Sequence, residues 1–209
     1  KVIMLFNLIV LVLTLLSFAV QEFIPPIMPE TTHYARLFLP AVFFFAASVA
    51  VPFPSMLVLA LVTGVLWDVR YLPMSSDAGQ AAGAELGMTL ADAATLSTAD
   101  LRFGYSILVF SLLGALMQGV RPLFKKGRLE LPVLMVGFAT CAWLLIQFLL
   151  MTLLRGSFSF PTAMWLKLVT DTMYAMFFSP LMFLTLHVLA RITSYEIKYE
   201  GLRYRFDGR

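Results

Sequence analysis

The sequence predicts an all-α polytopic membrane protein: six transmembrane helices, both termini cytoplasmic, and a long external loop between the third and fourth helices. Three observations lead there. Hydrophobic residues make up 60% of the 209 and charged residues only 13%, with nineteen Phe and twelve Met, a composition suited to lipid contact rather than to a soluble core. A spanning helix needs about 20 apolar residues, and the chain has room for six. The third run, residues 55–72, is apolar until it meets Asp68, and Ala60, Gly64 and Asp68 stand four apart on one helical face. Small residues let two helix backbones approach closely, and a carboxylate at membrane depth has to face protein or water. That helix is therefore expected inside a bundle.

The first span is residues 2–23. It is long for a signal peptide and lacks a small-x-small exit, so it is read as a membrane helix. Asn7, Thr14 and Gln21 recur every seven residues and form a mildly polar seam for helix–helix hydrogen bonds. Pro25, Pro26 and Pro29 stop the helix. The second span, 35–51, and the third are joined by Pro52-Phe53-Pro54, a link short enough to force an antiparallel hairpin.

Residues 73–97 break the hydrophobic pattern. They are rich in Ala, Gly, Ser and Thr, carry Asp77, Glu85 and Asp92 without Lys or Arg, and read as a polar loop. Ser97 and Asp100 make an S-x-x-D capping signal, so the fourth span is expected over 98–120, with Ser111, Ala115 and Gly119 on a small-residue face. A basic loop follows, with Arg121, Lys125, Lys126 and Arg128. The fifth span is 131–154. The sixth, 162–190, contains Pro180, which predicts a kink or local unwinding. In the tail, 191–209, Tyr195, Ile197 and Tyr199 alternate with charged residues, as do Leu202, Tyr204 and Phe206. The pattern fits either a small β-hairpin or an aromatic, basic tail lying along the headgroups.

Charge distribution gives the orientation. With six spans, one side carries Lys1, the four cations of the 121–130 loop, Arg191, Lys198, Arg203, Arg205 and Arg209; the other carries Arg36, Arg70, Arg102 and Arg155. Lys and Arg collect on the cytoplasmic side, so both ends are placed there and the acidic 73–97 loop outside. The basic loop is read as a topology determinant rather than a lipid or nucleic-acid site.

Counting along the helices puts Asp68 roughly 20 Å up a core of about 30 Å, and Asp171 about 12 Å down from the opposite boundary. Lys167 lies one turn from Asp171 on the same face. Asp68, Lys167 and Asp171 are therefore expected to form one polar cluster between the third and sixth helices, the alternative being that each charge is paired locally or snorkels outward. Nothing points to catalysis, a cofactor or a metal. Cys141 is the one cysteine, the two histidines (His33 and His187) are far apart in the pattern, and there is no H-E-x-x-H or glycine-rich phosphate cradle.

Several weak motifs occur in a telling order. A first helix ending in Gln21, Pro25 and Pro26 leads into a tight hairpin; the next helix carries Gly64-x-x-x-Asp68; Gly104 opens the following span; then come the basic turn LFKKGRLELP at 123–132 and Pro180 ahead of Arg191. In this the chain resembles, over nearly its whole length, the MreD rod shape-determining proteins of the bacterial inner membrane. Two features differ from the family pattern: the 73–97 loop is longer, and no Asn precedes Pro180. The resemblance implies a non-enzymatic scaffold of the cell-elongation machinery, working in the lipid bilayer with an MreC-like bitopic protein, the RodA glycosyltransferase, a class B penicillin-binding transpeptidase and the actin-like MreB filament. It also implies a fold similar to the substrate-binding subunits of energy-coupling-factor vitamin transporters. The alternative function is thus a small-molecule uptake subunit. That would need an outward cavity near Asp68 and Asp171, where Trp67 and Trp165 are expected at the right level and Trp143 is not. An intramembrane enzyme ranks third. In the scaffold reading the faces Ala60/Gly64 and Ser111/Ala115/Gly119 are covered by protein, either the chain's own helices or a partner's.

Overall fold

The fold is given by a computed structural model, which describes residues 2–24, 37–71, 104–123, 130–154 and 162–195. Among these residues every regular element is helical: α1 (Val2–Phe23), α2 (Leu39–Ala50), α3 (Phe53–Tyr71), α4 (Tyr105–Val120), a 3-10 turn (Arg121–Leu123), α5 (Glu130–Leu154) and α6 (Thr162–Ile192). Four of them, α1, α3, α5 and α6, are long and apolar enough to cross a membrane, which marks a membrane protein. The other two are shorter: 12 residues in α2 and 16 in α4. At 1.5 Å per residue they reach only about 18 and 24 Å, against a hydrocarbon core of about 30 Å.

Helix α2 is the centre of the bundle. All twelve of its side chains are buried, and it packs against each of the other five helices. A helix apolar on every side, here with Phe43, Phe44 and Phe45 in succession, has no face to offer water and finds its stable place surrounded by protein. Pro40 stands in its first turn, where the absent N–H would have had no intrahelical acceptor. The helix is shorter than the expected 35–51, because Leu37 and Phe38 precede it in non-helical conformation. The third helix is longer than expected. Pro54 falls in its first turn, so the helix starts at Phe53 and the link shrinks to Val51 and Pro52.

Around α2 the remaining helices pair off, α3 most extensively with α4 and α5 with α6. Their outward faces are apolar and exposed, for example Leu108, Leu112 and Leu116 on α4 and Met173, Phe177 and Leu181 on α6. That is the inverse of a soluble protein's surface and the expected dress of a helix in lipid.

Helix α4 begins at Tyr105 rather than near residue 98. Gly104 takes φ +107, a left-handed conformation open to glycine, and so bounds the helix; Ser97 and Asp100 lie outside the described residues. Helix α6 runs through Pro180 as continuous α-helix, without the local unwinding the sequence suggests. The ring costs the Met176 carbonyl its helical donor but sits on the exposed face, where it displaces no neighbour.

That helix also extends past 190 to Ile192 and closes with a Schellman motif. The Tyr195 N–H donates to the Ala190 carbonyl (2.8 Å) and the Ser194 N–H to the Arg191 carbonyl (3.3 Å), with Ser194 at φ 52. The Tyr195 ring then stacks on Phe6, centroids 4.3 Å apart. Tyr195, the first residue of the alternation read as either a hairpin or a tail along the headgroups, is part of a helix cap; 196–209 lie outside the described residues.

Candidate functional site

An aromatic cluster fills the space between α1, α2, α3, α4 and α5. Trp67 meets Trp143 edge to face, with ring centroids 4.7 Å apart and an interplanar angle of 84°. Phe38 and Phe110 each contact both indoles, and Phe18 reaches Trp67 from α1. Such edge-to-face pairs add to the burial of the rings themselves. Trp143 was expected at a different level from Trp67. The two in fact lie about 20 Å along their own helices, thirteen and fourteen residues from Glu130 and Phe53. Trp165 is exposed.

Polar groups bind the helices at both ends of this cluster. At one end the Gln21 Oε1 accepts the Leu39 N–H at 2.8 Å, capping α2 from α1. Asp68, 1% exposed, accepts the Gly104 N–H on Oδ2 at 2.7 Å. A carboxylate there lies against the partial positive charge of the α4 N-terminus, which favours it. Tyr105, next in the chain, receives a hydrogen bond on its hydroxyl from Gln147 Nε2 of α5 at 3.5 Å. Arg70 joins Glu22 at 2.5 Å and donates to the Phe18 carbonyl at 3.3 Å, tying the ends of α1 and α3. At the other end Gln118 Nε2 donates to the carbonyls of Ser48 (2.5 Å) and Val51 (2.8 Å), and Arg121 reaches Val51 at 3.5 Å. Gln21 and Gln118 thus close the two ends of α2, whose terminal backbone groups have no intrahelical partners.

Of the heptad seam on α1, Asn7 donates to Ser55 of α3 at 2.7 Å and Gln21 reaches α2, as expected; Thr14 turns back onto the Val10 carbonyl of its own helix. Lys167 and Asp171 are brought together, Nζ to Oδ2 3.5 Å, with both side chains buried. They face α5 near Leu144 and Phe148.

Asp68 is not part of that arrangement: its partner is the start of α4, and the single cluster expected of Asp68, Lys167 and Asp171 becomes two. Helix α3 packs on α1, α2 and α4, whereas α6 packs on α1, α2 and α5. Counting gave the two acids similar depth. In the fold Asp68 is only three residues from the C-terminal end of α3 while Asp171 is nine from the N-terminal end of α6, and counting says nothing about which neighbour each helix faces.

The two small-residue faces also part company. Ala60 and Gly64 are buried, and a Cβ at Gly64 would lie 2.6 Å from the Ile107 Cα, so this face belongs to the contact between α3 and α4. Ser111 and Ala115 are half-buried and Gly119 is exposed, with nothing within 4 Å of where its Cβ would be. Arg121 is in the 3-10 turn; Lys125, Lys126, Arg128, His33, Arg36 and Arg155 lie outside the described residues. Gln118 and Gln147 were not anticipated. Each is a lone amide in an apolar run, and an amide in hydrocarbon needs a partner on another helix, which is the signal that would have found them. Among the described residues no group of three or more His, Cys, Asp or Glu is placed to hold a metal ion. Compared with family models, with curated proteins and with solved structures, the chain matches none.

Proposed function

We propose that this chain is a non-enzymatic scaffold of the bacterial cell-elongation machinery, a member of the MreD type. It crosses the inner membrane six times with both ends cytoplasmic, and binds the transmembrane helix of an MreC-like bitopic partner, within reach of RodA, a class B transpeptidase and MreB. The observation that carries the reading is a coincidence of motif and contact. Three of the residues on which the resemblance rests tie helices together: Gln21 caps α2, Gly64 admits Ile107, and Asp68 grips the amide of Gly104. A protein that works by holding neighbours needs a rigid bundle more than a cleft. The half-open face Ser111, Ala115 and Gly119 is the place on α4 where a second helix backbone can approach. The two short helices are accommodated in a six-span arrangement because their ends are satisfied by Gln21, Gln118 and Arg121 rather than by water.

The uptake-subunit reading asks for an outward cavity near Asp68 and Asp171, with Trp67 at its level. Phe38, Phe110 and Trp143 pack against that indole, which weighs against it. Affinity purification of the tagged full-length chain from membranes of a rod-shaped bacterium tests the choice. Recovery of an MreC-like single-span protein, lost on Ala115→Leu, supports the scaffold; recovery of an ATPase pair or a tightly held metabolite supports uptake instead.

A further inference from the structure

We draw no further inference here: the strongest candidate, the side-chain cluster of Asp68 on α3 and Trp143 on α5, whose buried Oδ1 and Nε1 atoms have no hydrogen-bond partner among the described residues, carries nothing, because it belongs to the site already described and nothing in the structure shows a space there for a ligand to fill.

Discussion

Gln118 and Val51 join the two shortest helices of the bundle: the Gln118 Nε2 on α4 donates to the Val51 carbonyl at the end of α2 at 2.8 Å, and to Ser48 besides. A helix that ends inside an apolar environment leaves carbonyls that water cannot reach, and each one unsatisfied is costly. Gln118→Leu keeps the bulk and removes the donor. It is expected to lower stability by about 1–3 kcal/mol, read as an earlier unfolding midpoint of the detergent-solubilised protein. Leu116→Ala, two residues away on the exposed face, is expected to change the midpoint little.

Two glycines provide a matched pair. Gly64→Ala sets a methyl 2.6 Å from the Ile107 Cα, so α3 and α4 must separate. A cost of about 1–3 kcal/mol is expected, as for other overpacked contacts. Gly119→Ala meets nothing within 4 Å and should be neutral or slightly stabilising. Equal behaviour of the two variants in thermal unfolding would show that the backbones do not approach at Gly64.

Asp68→Leu removes the acceptor for the Gly104 amide and should cost about 1.5–3 kcal/mol, the range for a hydrogen bond to a charged group. Asp68→Asn keeps an oxygen in place and should retain part of that. Amide hydrogen exchange offers a local readout, with faster exchange at Gly104 in D68L than in D68N.

Lys167→Met takes the ammonium from a buried carboxylate, and Asp171→Leu takes the carboxylate from a buried ammonium. Each single change is expected to cost about 3–5 kcal/mol, and the double replacement considerably less than their sum. Combining D68L with K167M should add within about 0.3–0.5 kcal/mol, the behaviour of separate sites. A large coupling between Asp68 and Lys167 would instead restore the single cluster that the sequence suggested.

Much of the architecture was legible in the residues. Six apolar runs were read as spans; each holds a helix and four of these are of spanning length, and the four-residue spacing of Ala60, Gly64 and Asp68 put a close-packed face on α3, where Gly64 meets α4. The polar seam on α1 was visible as Asn7 and Gln21, whose partners are Ser55 and the Leu39 amide. The partners themselves were not legible, because periodicity fixes which residues share a face and not which helix lies opposite. The same gap misplaced Asp68 beside Lys167. Pro54 was read as part of the link yet serves as a first-turn residue of α3, since a proline's effect depends on whether its N–H would have been used.

Hydropathy alone determined that this chain is a helical membrane protein, because a backbone in hydrocarbon must satisfy its hydrogen bonds within each segment and the apolar side chains tell where those segments run. Spacing alone also put Lys167 and Asp171 one turn apart on the same face of a helix. Only the tertiary structure decided that the shortest apolar run becomes the wholly enclosed centre, that Trp67 meets Trp143, and that Gln21 and Gln118 close the ends of α2. Those outcomes depend on how helices are offset and rotated against one another, which is set by side chains distant in sequence competing for the same space.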